Sequence, residues 1–314
     1  MNIVLHYRAS AGFRAQLEAA LLPGMKLSIV DESDDAAFAA AMRQAEVLLH
    51  VLRPVRAADI EAAPQLKLIQ KIGVGVNTID LEAARRRGVA VCNMPGTNTQ
   101  AVAEMTLMLM LATLRRVTYF DPLMRGGEGW KPDTAQFDRV GEIAGRTIGF
   151  VGYGSVPQRL APVLKSLGAT LLCNARTAKP DAGAAFVPLE DLLARADIVS
   201  LHCPATPETI GMISRQAMAR MKRGAILINT ARGELVDEQA LAESLKSGAL
   251  AAAGLDVLAN EPIGVGHPLF SLSNVVVTPH IAWLTPETLQ RSVAVAIENC
   301  RRISANEKPL HQVA

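Results

Sequence analysis

Apolar residues along this chain alternate between short unbroken runs and longer stretches in which they recur at helical spacing. The runs at 3–6, 27–30, 47–51, 68–71 and 89–92 predict strands. Between them, the alanine-rich stretch 36–45 and the segment 81–87, closed by Gly88 as a C-cap, predict helices. Repeated units of this kind build a parallel sheet covered by helices on both faces. Residues 93–98, Asn-Met-Pro-Gly-Thr-Asn, are turn chemistry that marks a hinge, and a helix is expected over 101–116. A glycine-rich loop at 126–132 carries Trp130. From Arg146 the alternation resumes, with Ile148, Phe150 and Val151 in a strand and further strands at 171–174, 198–202, 225–229, 251–257 and 275–278. Helices are expected over 214–221 and 237–247. The last helix, 286–303, has Thr285 as N-cap and Pro286 at its first position, and is long enough to return to the first domain.

The chain has 314 residues, enough for two domains of about 150 each. Half of them are hydrophobic and 20% are charged, with a formal net charge of +2, so nothing marks a nucleic-acid binder. The longest apolar stretch, 101–114, is too short to span a bilayer and contains Glu104, which gives a buried helix and no membrane partner. The first residues show no basic segment followed by an apolar one, so no signal peptide is expected. Cys92, Cys173, Cys203 and Cys300 form no CxxC pair and have no metal-ligand spacing, so no metal is expected and the thiols fit the reducing cytoplasm.

The stretch RTIGFVGYGSVPQRLA joins a strand to a helix through Gly152 and Gly154. Such a turn points the free N–H groups of a helix start at an anion, usually the pyrophosphate of a dinucleotide. Two glycines alone are weak evidence, and the third glycine of the fingerprint is replaced by Pro157. The phosphates would then rely on the N–H groups of Ser155 and Val156, with Pro157 holding the helix start rigid. Earlier in the chain, Gly73-Val74-Gly75 follows a strand and is either a backbone nest for a carboxylate or a flexible turn.

Ligands of open parallel sheets bind beyond the carboxyl ends of the strands. There the sequence places Thr230-Ala231-Arg232-Gly233, Asp256 with Glu261-Pro262 beyond it, Thr278-Pro279-His280, and Cys203-Pro204. Singly, each polar residue has an ordinary surface explanation. Together, beside a dinucleotide turn, they fit hydride chemistry on a small anionic carbonyl compound. Arg232 can fork onto a carboxylate, and His280 can protonate the carbonyl oxygen. Glu261, in contact with the imidazole, would favour its charged form.

The stretches KIGVGVNTID, AVAE, GFVGYG, LHCPATPET, NTARGELVDEQAL, AGLDV with EP, and TPHIA together resemble the D-isomer-specific 2-hydroxyacid dehydrogenase family over nearly the whole chain. The resemblance implies an α/β fold of two doubly wound parallel-sheet domains. One is a Rossmann dinucleotide-binding domain over 99–283, and the other a smaller, discontinuous flavodoxin-like substrate domain from 1–98 plus 284–314. It implies that Arg232, Glu261 and His280 are catalytic, and that the backbone at Val74 and Gly75 grips the substrate carboxylate. Asp256 is implied to face the nicotinamide side, and Cys203, Pro204 and Thr209 to lie along the adenosine. Thr230, Ala231 and His280 complete the expected cofactor contacts. A homodimer is the usual state in this family.

An NAD-selective fold needs an acidic residue after its second strand for the ribose 2′-OH. Here the place reads Leu172-Cys173-Asn174-Ala175-Arg176-Thr177, without a carboxylate. Arg176 and Thr177 can hold a 2′-phosphate, so NADP is the expected cofactor, with NAD still possible. Trp283, where many relatives carry a small residue, also occurs in the glycerate dehydrogenase and hydroxypyruvate reductase group. A bulky ring would narrow the substrate pocket, which favours reduction of glyoxylate or hydroxypyruvate. The chain ends soon after its last helix, without the regulatory C-terminal domain of many phosphoglycerate dehydrogenases, which disfavours a serine-pathway role. The alternatives are a phosphite or other related dehydrogenase, or a dinucleotide-sensing co-repressor-like binding module. Glu261 counts against the formate dehydrogenases, which resemble this family but pair their histidine with glutamine.

Overall fold

The computed structural model describes residues 1–177 and 183–314 and divides into two compact units, Met1–Asn98 with Trp283–Ala314, and Thr99–Ala282. The division places Trp283 with the chain ends, one residue earlier than the expected boundary.

In the first unit, β1 (Asn2–His6), β2 (Lys26–Val30), β3 (Val47–His50), β4 (Leu68–Lys71) and β5 (Ala90–Cys92) form a parallel sheet of order β2-β1-β3-β4-β5. This is the doubly wound order in which strand sequence reverses beside β1. The helices are α1 (Ala11–Ala20), α2 (Asp35–Met42), α3 (Ala57–Glu61), α4 (Leu81–Arg87) and, from the far end of the chain, α11 (Pro286–Ser304). Asp80 caps α4 by accepting from the Ala83 N–H, and Gly88 ends it in the left-handed conformation at φ 65°. α11 is joined to β4 by a buried amide pair, in which Asn299 Nδ2 donates to Gln70 Oε1 at 2.6 Å.

The second unit begins with α5 (Thr99–Leu114) and α6 (Val117–Arg125). Its sheet contains β6 (Thr147–Val151), β7 (Thr170–Asn174), β8 (Ala185–Phe186), β9 (Ile198–Leu201), β10 (Ala225–Asn229), β11 (Leu250–Leu255) and β12 (Val275–Val277). All pair in parallel, in the order β12-β11-β10-β9-β6-β7-β8. α5 and α7 (Ser155–Ser166) cover one face, with Leu109, Met110, Leu160 and Leu164 packed on Phe150 and Ile148. α8 (Leu189–Arg195), α9 (Arg215–Arg220) and α10 (Glu238–Lys246) cover the other, through Leu192, Met218 and Leu241. Full burial of one such side chain stabilises by about 1.5–3 kcal/mol. Burial on both faces explains why these strands read as unbroken apolar runs.

One local expectation differs from the structure. α6 occupies 117–125, ahead of the expected glycine loop, and contains Pro122. α7 buries Leu160 and Leu164, whereas Val163 and the C-cap Leu167 are each 42% exposed.

Candidate active site

The chemistry of the second unit lies just beyond the carboxyl ends of β6, β7, β9, β10, β11 and β12. After β6, Gly152 takes φ 91°, and a Cβ there would meet the His202 carbonyl oxygen at 2.6 Å. Only glycine allows that crossing of the chain beside β9. Gly154 is different: it is the N-cap of α7 at φ −85°, and a Cβ on it would meet no atom within 4 Å. Ser155, Val156 and the buried Pro157 open the helix. Among the described residues, the Ser155 and Val156 N–H groups have no acceptor, and Pro157 has no N–H to lose. The open space at Gly154 and the unspent donors behind it fit a bound pyrophosphate.

Arg176 and Thr177 follow β7 and are exposed. Glu208 stands close enough to Arg176 to feel its charge, although the Thr206 hydroxyl is the main cause holding the Glu208 carboxyl below its ordinary range. After β9, burial lowers the His202 pKa to about 3, and its Nε2 pairs with Ser200 Oγ at 2.8 Å. The Thr209 hydroxyl donates to the Pro204 carbonyl at 2.7 Å and accepts from the Thr206 N–H at 2.8 Å, so it closes its own turn. Cys203 is a free thiol packed near Met212.

Arg232 leaves β10 on a turn built by Asn229, the last residue of the strand. Asn229 is 1% exposed; its Oδ1 accepts from the Ala231 N–H at 3.0 Å and its Nδ2 donates to the Arg232 carbonyl at 2.8 Å. An asparagine directly before Thr-Ala-Arg is the sequence signal for this device. Arg232 NH1 donates to the Ala231 carbonyl at 2.6 Å. Burial lowers its pKa, with Glu234 and Glu261 acting in the opposite sense. Thr230 pairs with Thr106 of α5, hydroxyl to hydroxyl, at 2.9 Å.

Asp256, 1% exposed, frames the turn that carries His280. Its Oδ1 accepts from the Thr278 hydroxyl at 2.6 Å and the Ile281 N–H at 3.0 Å, and its Oδ2 from the Ala282 N–H at 2.8 Å. Burial raises this carboxyl despite those donors. All three of these bonds go to the turn, which gives Asp256 a framing place behind His280. The histidine itself sits at φ 55°, a conformation rare for a side-chain-bearing residue. Its Nδ1 meets Glu261 Oε2 at 2.6 Å, while Glu261 Oε1 accepts from the Leu258 N–H at 2.8 Å. Burial pushes the Glu261 carboxyl up, but its bonds from His280 and Leu258 and the positive charge nearby carry it below its ordinary range. β10, β11 and β12 are neighbours in the sheet, so Arg232, Asp256, Glu261 and His280 issue from adjacent strand ends.

In the first unit, the loop after β4 has Gly73 at φ 138°. Its carbonyls are taken, Gly73 by the Met94 N–H at 2.8 Å and Val74 by Asn93 Nδ2 at 2.9 Å. Among the described residues, the N–H groups of Val74 and Gly75 have no acceptor, which is the donor arrangement of an anion nest. Trp283 is 7% exposed, with its ring 6.1 Å from that of Tyr7. Among the described residues, no group of three or more His, Cys, Asp or Glu side chains is placed to hold a metal ion, and no helix is long and apolar enough to cross a membrane.

Residues 107–282 match the sequence model of the D-isomer specific 2-hydroxyacid dehydrogenase NAD binding domain. The chain is 40% identical to the D-3-phosphoglycerate dehydrogenase of Mycobacterium leprae over 92% of its own length and 55% of the relative's, so it spans about half the length of that protein. It is 38% identical to the glyoxylate reductase of Aeropyrum pernix, over 85% of this chain and 82% of the reductase. A crystal structure of a Thermus thermophilus protein superposes with a TM-score of 0.90 and 37% identity, covering 100% of both chains.

Proposed function

The chain belongs to the D-isomer-specific 2-hydroxyacid dehydrogenase family, and from that premise we propose that it reduces a small 2-keto acid with a nicotinamide dinucleotide. The observation that carries this reading is the 2.6 Å contact of His280 Nδ1 with Glu261, on a turn framed by Asp256 and beside Arg232. The Gly152 to Val156 turn would hold the dinucleotide phosphates. When bound, the reduced dinucleotide supplies the hydride.

Arg232 binds the substrate carboxylate and sets the carbonyl carbon in place. His280 in its charged form carries protons on both ring nitrogens. Its Nδ1–H is held by Glu261, so Nε2 is the atom that gives its proton to the carbonyl oxygen as negative charge develops there. Afterwards the ring is neutral, with its remaining proton still on Nδ1 and facing Glu261. The reverse reaction uses the same Nε2 as a base on the D-hydroxyl. The nest at Val74 and Gly75 is assigned to an anionic group of the substrate.

The exposed Arg176 and Thr177 after β7 support NADPH as the preferred cofactor, and the similarity to a glyoxylate reductase supports glyoxylate or hydroxypyruvate as substrate. A homodimer is supported by the apolar surface of α6 and the residues after it. No residue of α6 is buried, and Val117, Met124, Trp130 and Phe137 are about half exposed or more. We assign the protein to the cytoplasm, where free thiols persist.

The experiment is a panel of 2-keto acids with NADPH and NADH, followed by nicotinamide absorbance and repeated with His280→Ala. Turnover of glyoxylate or hydroxypyruvate that His280→Ala abolishes supports the assignment. Tight dinucleotide binding with no 2-keto acid turned over would replace it with a binding-module function.

A further inference from the structure

Glu261 is borne by the segment between β11 and the short helix Pro268–Ser271. Among the described residues, 259–266 make no hydrogen bond from main chain to main chain, and Val265 is fully exposed. Such a segment has little of its own to fix it. Leu258 and Ile263 rest on the core below, and one side chain hydrogen-bonds to both ends of the segment. Glu238, the first residue of α10, accepts the Ala259 N–H on Oε1 at 2.7 Å, and its Oε2 meets His267 Nε2 at 3.1 Å. Both side chains are mostly shielded, at 15% and 17% exposed. A carboxylate at the start of a helix is also favoured by the helix dipole. Asp237, the N-cap, accepts from the Ala240 N–H at 2.9 Å and so anchors the end of α10 from which Glu238 reaches out.

We propose that Glu238 is a positioning residue for the proton-transfer pair: its carboxylate clamps both ends of the 259–267 segment and thereby holds Glu261 against His280. The proposal rests on the catalytic reading of Glu261 and His280 above. The chain of contacts is short. Glu238 fixes Ala259, Leu258 next to it donates its N–H to Glu261 Oε1, and Glu261 Oε2 meets His280 Nδ1. A segment freed at Ala259 and His267 lets the Glu261 carboxylate move off the ring, and a displacement of about an ångström is enough to cost a large factor in rate. Glu238 touches no reacting atom in this scheme. Its effect passes entirely through Glu261.

The test uses the full-length enzyme with glyoxylate and NADPH and compares kcat/KM against pH for wild type, Glu261→Gln, Glu238→Ala, Glu238→Gln and the double variant Glu238→Ala/Glu261→Gln. Thermal unfolding of each is recorded alongside. The expected result is that Glu261→Gln moves the alkaline limb of the profile to lower pH and that Glu238→Ala moves it in the same direction, with kcat down about tenfold near neutral pH. The double variant should then be no worse than Glu261→Gln alone, because the two act as one unit. Glu238→Gln, which can still accept from the Ala259 N–H, should recover part of the loss. A Glu238→Ala that loses thermal stability while keeping the wild-type profile, or a double variant showing the product of the two single losses, overturns the clamp. If Glu238→Ala does not fold, His267→Leu removes the second contact alone and must show the same displacement of the profile. A Glu261→Gln enzyme with an unchanged profile would overturn the catalytic reading itself, a different failure from an inert Glu238.

Discussion

The main chains of Gly233 and Leu258 lie so close that a Cβ on Gly233 would overlap the Leu258 carbonyl carbon. The first residue adjoins Arg232 and the second donates its N–H to Glu261, so this contact locks the arginine proposed to bind substrate to the segment that carries the partner of His280. Backbone cannot yield as a side-chain tip can. Gly233→Ala must displace one of the two turns, and kcat/KM is expected to fall about 100-fold. Dinucleotide affinity, set mainly by the β6 turn two strands away along the same edge, should change much less. Fluorescence titration with NADPH beside steady-state kinetics checks both, and a weakened dinucleotide with intact turnover would contradict the argument.

The two glycines after β6 have different reasons to be glycine. Gly152 has φ 91° and stands against the His202 carbonyl, so Gly152→Ala should lower stability by about 1–3 kcal/mol. Gly154 has an ordinary φ and open space, so Gly154→Ala should unfold as the wild type does while binding the dinucleotide about tenfold more weakly, or ~1.4 kcal/mol. Pro157→Gly should loosen the start of α7 without tightening binding. Strongly tighter binding in that variant would mean that the proline is a handicap to the phosphate site. Urea unfolding with a binding titration separates the three.

Strand-end chemistry was readable from sequence because each chemical residue directly follows an apolar run, and the parallel order of β12, β11, β10 and β9 then brings Arg232, Asp256, His280 and Cys203 to one edge. What lies between elements was not. α6 is hidden by Pro122, which normally argues against a helix, and by an amphipathic pattern with no buried residue to anchor it. β8 has only two residues, too few for any period. Asn229 and Glu238 look like a strand end and an ordinary first-turn acid, since their partners, Arg232 apart, lie far along the chain or in the main chain itself. Trp283 falls in the first unit, where its ring lies 6.1 Å from that of Tyr7, a long-range contact that no local spacing encodes.

Cofactor preference has its own test in the pair Arg176 and Glu208. The guanidinium attracts a 2′-phosphate, and the carboxylate near it opposes one. Arg176→Ala is therefore expected to lower the ratio of kcat/KM for NADPH over NADH by about tenfold, and Glu208→Gln to raise it. Equal ratios in wild type and Arg176→Ala would remove Arg176 from the site.

Assembly can be tested at the apolar surface beyond α5. Trp130 is 88% exposed and Phe137, whose ring stacks near Phe120, 52%. Large apolar side chains left in solvent along one stretch of chain favour a partner. Sedimentation should give a dimer for the wild type and a monomer for the double variant Trp130→Glu/Phe137→Glu. A wild type that sediments as a monomer at working concentrations rejects this interface.

Acid sensitivity should arise in the first unit, where His6 and His50 lie side by side on β1 and β3, each 1% exposed. His50 Nε2 is 2.7 Å from the Arg53 carbonyl, which can only accept, so that nitrogen carries the proton, and the buried Nδ1 has no partner among the described residues. Burial and the adjacent Lys71 charge hold its pKa well below the ordinary value, and burial together with Arg53 lowers that of His6. The sign follows directly. Below about pH 6.5 the unfolded chain binds a proton at these positions and the native chain does not, so stability present above that pH is lost as pH falls. Between about pH 7.5 and 5.5, His50 alone should cost on the order of 1 kcal/mol. His50→Gln keeps a donor for the Arg53 carbonyl without a titrating ring, and should reduce the acid loss by about that amount. Urea unfolding of the two proteins at both pH values measures the difference, and identical losses would show that His50 takes no part in the acid response.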